Sequence, residues 1–133
     1  ALIDAAANAK TSVLPKLGAM IETPAAALAA PDLMEHADFL SFGTNDLTQY
    51  AFAADRENTA VDSYFDDTHD AIFRLINMVH GDVPDAPLSM CGELAGRTDA
   101  ICRLIECGIT SLSVVPHSIH TVKEAVRNCA GEP

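Results

Sequence analysis

Basic side chains are scarce in this sequence, which has eight Lys and Arg against 19 Asp and Glu and a formal net charge of −11. Nucleic acids and anionic membranes are bound through clustered Lys and Arg, so neither is expected as a partner. There is no run of 18 apolar residues, and the N-terminus has no basic region followed by an apolar core, so neither a membrane span nor a signal peptide is predicted. We therefore expect a cytoplasmic protein.

Cysteine and histidine spacings typical of metal sites are also missing. The four cysteines, Cys91, Cys102, Cys107 and Cys129, include no Cys-x-x-Cys pair, and the five histidines are scattered. Neither a zinc site nor a disulfide framework is indicated. We expect four free thiols.

What the sequence does contain is a regular alternation of apolar segments and helical patterns. Strands are predicted at residues 17–23, 38–43, 87–93 and 111–115. A helix starting at Pro24 is predicted with Thr23 as its cap and a break at Pro31, another spans 67–80 with Gly81 as its stop, and Thr98 is predicted to cap a third. Continuously apolar strands alternating with amphipathic helices indicate an α/β fold with a parallel sheet covered by helices.

Two architectures fit four consecutive β/α units: a small doubly wound domain, or half of an eight-unit barrel. The sequence has no glycine-rich phosphate fingerprint, and it opens on what looks like a helix tail at residues 1–16. Acidic or thiol side chains lie at the ends of three of its four predicted strands, at one face of the fold. These features favour the C-terminal half of a TIM (β/α)8 barrel. We expect residues 1–133 to form one partial barrel domain.

Two acidic residues end neighbouring predicted strands. Glu22 closes the first strand, and Asp46 follows the second within the polar triplet Thr44, Asn45 and Asp46. Because neighbouring strands lie about 4.8 Å apart, two carboxylates at adjacent ends can reach one cation. Mg²⁺ commonly takes one or two protein carboxylates and fills its remaining positions with water and phosphate oxygens. The alternative is that both residues are solvent-facing helix caps.

Two further side chains at these strand ends are candidates for binding and proton transfer. Arg56 has the planar, permanently charged fork that meets phosphate oxygens in two places, although a salt bridge to Asp55 or Glu57 would account for it equally well. Cys91 lies at the carboxyl end of the third predicted strand, between Met90 and Gly92, and could act as a general acid or base. A buried, inert cysteine is the usual alternative.

Three long motifs resemble one known family. GAMIETPAAAL, DFLSFGTNDLTQY followed by DREN, and MCGELAG occur in this order and spacing. Together they resemble the phosphoenolpyruvate-binding barrel of the PEP-utilising enzymes, most closely enzyme I of the bacterial sugar phosphotransferase system. The resemblance extends from about residue 17 to residue 127. Pyruvate phosphate dikinases typically carry Ser-Arg where this chain has Asp55-Arg56, and PEP synthases usually depart from the Cys-Gly-Glu that is intact here.

The resemblance implies a role for each of the site residues. Glu22 and Asp46 would ligate Mg²⁺, with Mn²⁺ as a substitute. Asn45 and Arg56 would contact the phosphoryl group of phosphoenolpyruvate (PEP). Cys91 would protonate the methylene carbon of the enolate as pyruvate forms.

The resemblance also implies an overall function and partners. The phosphoryl group would pass to a histidine on a mobile domain and then to a histidine-containing phosphocarrier protein, in a homodimer held together by the barrel. The phosphohistidine domain, the carrier-binding domain and the first half of the barrel are not in this sequence, so the chain alone is expected to be inactive, as a fragment or a truncated homologue. A non-catalytic PEP-binding or dimerisation module, the equivalent domain of a dikinase or PEP synthase, and another magnesium barrel such as a carbon–carbon lyase remain alternatives.

Overall fold

A four-stranded parallel sheet forms the centre of the computed structural model, which describes residues 15–129. The strands are β1 (Gly18–Ile21), β2 (Phe39–Gly43), β3 (Leu88–Cys91) and β4 (Ser111–Leu112). They lie side by side in the order of the sequence. A doubly wound sheet reverses its strand order at a switch point, and none of the four described strands shows such a reversal. The arrangement is therefore that of a partial β/α barrel, as predicted, with strands shorter than the sequence pattern suggests.

Six α-helices accompany the strands in the described part of the chain. They are α1 (Pro24–Leu28), α2 (Ala30–Met34), α3 (Thr44–Phe52), α4 (Asp70–Asp82), α5 (Ile101–Glu106) and α6 (Ile119–Cys129). The start of α1 is as predicted, because the Thr23 hydroxyl accepts a hydrogen bond from the backbone N–H of Ala26 at 3.0 Å. The break falls at Ala29, two residues before Pro31, which lies in the first turn of α2, where a proline is tolerated.

Two predicted helix starts and one predicted stop were wrong. Helix α4 begins three residues later than expected, because the ring Nδ1 of His69 accepts a hydrogen bond from the N–H of Ala71 and caps the helix. The helix then continues through Gly81 to Asp82. Helix α5 begins at Ile101 without a side-chain cap, so the predicted capping role of Thr98 is incorrect.

The sheet has two unlike faces, because successive strand residues point in opposite directions. One face packs under the helices and is apolar; its fully buried residues are Ile21, Leu40, Phe42, Leu88 and Met90. The other, inner face is mixed: Ser41 pairs with Ser89 and Ser89 with Ser111, and Met20 lies beside Ser41. That second face is the one that a complete barrel would enclose.

Two of the cysteines form a disulfide, which corrects the expectation of four free thiols. Cys102 in α5 is bonded to Cys129 at the end of α6, with a Cα–Cα distance of 5.1 Å. Cys91 and Cys107 are free. The two bonded residues are 27 positions apart and belong to no motif, so only the packing of α5 against α6 reveals the pair.

Two sequence-based expectations concern the ends of the chain and membranes. The helix tail expected at residues 1–16 lies almost entirely outside the described residues, and Pro15 and Lys16 are not helical. Within residues 15–129, no helix combines the length and the apolar character needed to cross a membrane.

Candidate functional site

The predicted site residues gather at the carboxyl ends of the parallel strands. Glu22 directly follows β1, Asn45 and Asp46 lie in the first turn of α3 after β2, and Cys91 is the last residue of β3. Parallel strands end at the same edge of a sheet, so these side chains share one side of the molecule. Arg56 lies further along the chain, in the loop between α3 and α4.

The side chain of Glu22 lies across the end of β2, over Gly43. A Cβ atom placed on Gly43 would be 3.2 Å from the Cβ of Glu22 and 3.5 Å from its carboxylate Oε2. Gly43 thus leaves space for Glu22 on the inner face of the sheet, three residues before Asp46. Within residues 15–129, no group of three or more His, Cys, Asp or Glu side chains is arranged to hold a metal ion. Glu22 and Asp46 supply two carboxylates at this edge of the sheet, and one or two protein carboxylates are what a magnesium ion commonly takes.

Two hydrogen bonds join the first turn of α3 to the end of β3. The hydroxyl of Thr44 donates to the backbone carbonyl of Cys91 at 3.1 Å, and the side-chain oxygen of Asn45 accepts from the backbone N–H of Glu93 at 3.0 Å. Gly92 between them has a φ of 95°. A Cβ on Gly92 would approach the Thr44 hydroxyl to 2.5 Å, so only glycine fits.

Sequence reasoning did not assign these positioning roles to Thr44 and Gly92. The signal was present as a glycine between two candidate site residues, Cys91 and Glu93. A glycine at the end of a strand often marks a close approach of another segment.

Cys91 is accessible from the inner face of the sheet, so the alternative of a fully buried, inert cysteine does not hold. It is half-buried, and its thiol donates to the backbone carbonyl of Phe42 at 3.4 Å and lies 4.0 Å from the sulfur of Met20. Cys91 also lines a cavity of about 590 Å³ together with Asn45, Glu93 and Arg97.

Arg56 is exposed, and its guanidinium forms no ion pair with any residue between 15 and 129. The salt bridge to Asp55 or Glu57 is therefore not formed; the Asp55 carboxylate instead accepts from the backbone N–H of Glu57 at 2.9 Å. Arg56 lines a second cavity of about 330 Å³ with Asn45 and Glu93 among its walls.

Asn45 and Glu93 line both cavities, so the two cavities share these two residues as walls. Cys91 lies in the first cavity and Arg56 in the second. In the described part of the chain, neither Glu22 nor Asp46 lines these two cavities. Both carboxylates lie at the carboxyl ends of the strands, Glu22 after β1 and Asp46 after β2.

Residues 3–130 match the protein family described as "PEP-utilising enzyme, PEP-binding domain". The chain belongs to the PEP-utilising enzymes. The resemblance found in the three sequence motifs is thus confirmed.

Similar members of the PEP-utilising enzymes carry two kinds of name. A "Phosphoenolpyruvate-dependent phosphotransferase system" protein of Salmonella typhimurium is 39% identical over 86% of this chain. A "Phosphoenolpyruvate-protein phosphotransferase" of Mycoplasma genitalium is 43% identical over 84% of the chain. A "Probable phosphoenolpyruvate synthase" of Archaeoglobus fulgidus is 39% identical, also over 84%. The matched region is 16%, 20% and 15% of these three proteins, respectively, so the chain corresponds to a small part of each.

Proposed function

We propose that this chain is the PEP-binding catalytic domain of a phosphoenolpyruvate-protein phosphotransferase, which transfers the phosphoryl group of PEP to a histidine and releases pyruvate. The observation that carries the proposal is a pair of cavities that share Asn45 and Glu93 as walls, one also lined by Cys91 and the other by Arg56. Together the two cavities offer an amide and a thiol near the strand ends, and a cation from the loop between α3 and α4. These are the groups needed to bind a phosphoryl oxygen and to protonate a carbon.

Arg56 and Asn45 bind the phosphoryl group. The Arg56 guanidinium is not engaged by any described carboxylate, so both edges of its fork are open to phosphate oxygens. The Asn45 oxygen is used by the N–H of Glu93, which leaves the NH₂ group of the amide to donate to the ligand.

Cys91 supplies the proton in the second half of the reaction. When the phosphoryl group leaves, the bond between phosphorus and the enol oxygen breaks and its electron pair stays on that oxygen. As the oxygen re-forms a carbonyl, the methylene carbon takes the proton of the Cys91 thiol, giving pyruvate and a thiolate. The sulfur of Cys91 lies beside the side chain of Met20, at the face of the sheet that a complete barrel would enclose.

Glu22 and Asp46 would hold a Mg²⁺ or Mn²⁺ ion. Such an ion, when bound, neutralises charge on the phosphoryl oxygens as they leave. Glu22 lies over Gly43 on the inner face, and Asp46 is half-buried in the first turn of α3. Their carboxylate oxygens are the hard ligands that magnesium prefers.

The partners belong to the same proposal. We expect transfer through a phosphohistidine to a histidine-containing phosphocarrier protein, a homodimer and a cytoplasmic location. The net charge of −11 supports the absence of nucleic acid as a partner. This chain alone should bind PEP weakly and should not exchange label between pyruvate and PEP, because Arg56 and a metal cannot also neutralise the carboxylate of PEP.

The deciding experiment uses PEP labelled on its phosphoryl group and the full-length enzyme that contains this domain. A phosphotransferase will label a histidine-containing phosphocarrier protein, and the label will depend on a divalent cation. The relative named as a PEP synthase favours a second candidate, the equivalent domain of such an enzyme, for which pyruvate and an added phosphoryl donor would yield PEP, and labelled PEP would leave the carrier protein unlabelled. Binding of PEP without any transfer would instead identify a non-catalytic module.

A further inference from the structure

Arg56 lies in a long segment that is poorly tied to the rest of the structure. This segment, residues 53–69, which we term the Arg56 loop, joins α3 to α4 and contains only the short 3-10 turn Asp62–Tyr64. Its backbone hydrogen bonds are local, such as Asn58 N–H to the carbonyl of Asp55 at 3.0 Å. Long surface segments of this kind are entropically costly to hold in one position.

One side-chain contact holds the Arg56 loop to a distant part of the chain. The Nη1 of Arg97 donates to the Asp67 carboxylate at 3.2 Å. Within residues 15–129, this is the only hydrogen bond from the loop to a residue beyond the two adjoining helices and their caps. The Asp67 side chain is 12% exposed and that of Arg97 is 44% exposed, so the carboxylate end of the contact is the shielded one.

Arg97 is itself held in place, and it directly follows the 3-10 turn Glu93–Gly96 after Cys91. Its Nε and Nη2 donate to the Asp99 carboxylate at 3.4 and 3.0 Å. The guanidinium is thus aligned before it meets Asp67. Arg97 also lines the cavity that contains Cys91. The ion pair therefore spans from the loop that carries Arg56 to the strand end that carries Cys91.

The pair is poorly explained as a contact that only stabilises the fold. Burial raises the pKa of Asp67, and this effect is larger than the opposing charge of Arg97. The charge of Arg97 therefore does not fully offset the burial of the Asp67 carboxylate, and the pair is weak evidence for a purely stabilising role. Its geometry, with Asp67 in the Arg56 loop and Arg97 just after the 3-10 turn that follows Cys91, indicates a role in placing the loop.

We propose that the Asp67–Arg97 ion pair is a positioning contact that holds the Arg56 loop against the end of the strand carrying Cys91. It sets the separation between the side chain that binds the phosphoryl group and the thiol that donates the proton. This inference rests on the proposed function for the roles of Arg56 and Cys91. Asp67 and Arg97 themselves need not touch the substrate.

The contact is tested first without reference to activity, by hydrogen–deuterium exchange. Asp67→Ala should raise amide exchange across residues 53–69 by about tenfold, the order of effect of losing one charge-assisted hydrogen bond. Asp67→Glu, which keeps the carboxylate, should restore protection. The matched control is Asp70→Ala, which removes the 2.6 Å bond from Arg103 between α4 and α5 and should leave the loop unchanged. Unaltered exchange in Asp67→Ala would overturn the proposal.

The second readout is PEP affinity in the full-length enzyme. We expect Asp67→Ala to raise KM for PEP by about tenfold, with recovery in Asp67→Glu and no change in Asp70→Ala. Faster loop exchange combined with unchanged KM would overturn the positioning role alone. A wild type that does not turn over PEP would contradict the proposed function, and the positioning role with it. If Asp67→Ala does not fold, Arg97→Lys gives the same two readouts, because a single ammonium cannot bridge Asp67 and Asp99.

Discussion

The side-chain oxygen of Asn45 and the backbone N–H of Glu93 are joined by a 3.0 Å hydrogen bond between residues 48 positions apart in the chain. This bond, with the one from Thr44 to the carbonyl of Cys91, fastens the start of α3 to the end of β3. Both bonds pass close to Gly92, whose backbone adopts a φ that favours glycine.

Gly92→Ala should destabilise the chain by about 2 kcal/mol or more, because a Cβ there adds backbone strain and presses on Thr44 and Asn45. Chemical denaturation measures the loss in free energy of unfolding. Gly81→Ala is the matched control, since Gly81 lies inside α4 and a Cβ there meets nothing within 4 Å. That variant should be as stable as the wild type or more stable. Equal effects of the two substitutions would contradict the account of Gly92.

Asp46→Ala should weaken binding of Mg²⁺ or Mn²⁺, because it removes one of the two carboxylates at the strand ends. Titration calorimetry on the wild type and the variant measures the affinity. Asp32→Ala is a suitable control, since Asp32 is an exposed acidic residue in α2. The assignment of Glu22 and Asp46 fails if the wild type and Asp46→Ala bind the metal equally well.

Cys91→Ser in the full-length enzyme should reduce pyruvate formation by at least about a hundredfold while changing PEP binding little, since the thiol acts only as the carbon is protonated. Steady-state kinetics and equilibrium PEP binding separate the two effects. Cys107→Ala is the control: Cys107 is free but buried in the core, and burial raises the pKa of its thiol. Its turnover should match the wild type, and a Cys91→Ser enzyme with full turnover would move the proton donor elsewhere.

Reduction of the Cys102–Cys129 disulfide should lower the free energy of unfolding by about 3 kcal/mol, the entropy expected for opening a loop of this length. Denaturation with and without dithiothreitol measures the change. Cys102→Ser should show the same loss without reductant and no further response to it. A wild type that is indifferent to reductant would show that the bond is not present in solution.

The stability of the chain should depend on pH through Asp67. Because burial raises the pKa of Asp67 above its ordinary value of 3.8, the folded chain holds this proton more tightly than the unfolded chain does. The contribution of Asp67 to stability is then fully present below pH 3.8 and is lost as the pH rises through the raised pKa. Urea denaturation across this window should show the wild type losing stability relative to Asp67→Ala as the pH increases. A difference that stays constant with pH would contradict the assignment.

Local chemistry made several parts of this structure predictable. The capping of α1 by Thr23 depends on a side chain and a backbone only three residues apart, so a short stretch of sequence contains the whole interaction. The strand periodicity and the helical patterns likewise arise from neighbours along the chain. The same holds for the presence of candidate groups at strand ends.

Other features depend on residues that only folding brings together. The Asp66 carboxylate accepts hydrogen bonds from the backbone N–H and the hydroxyl of Thr68, and the Asp67 carboxylate accepts one from Arg97. Because these contacts hold the segment outside the helix, α4 starts at Asp70 and not at Asp67. Nothing in the local pattern contains Arg97, which lies 30 positions away.

Three properties could be predicted from the chain before folding is considered: an α/β unit with a parallel sheet, a resemblance to the PEP-utilising enzymes, and the positions of Glu22, Asp46 and Cys91 at or just after strand ends. These properties depend on residue type and on spacing along the chain. The folded structure was needed to show that Cys102 meets Cys129, that the Asn45 side chain accepts from the N–H of Glu93, and that Asp67 contacts Arg97. Each of those is a contact of a few ångströms between segments far apart in sequence, and the packing of helices and strands sets such distances.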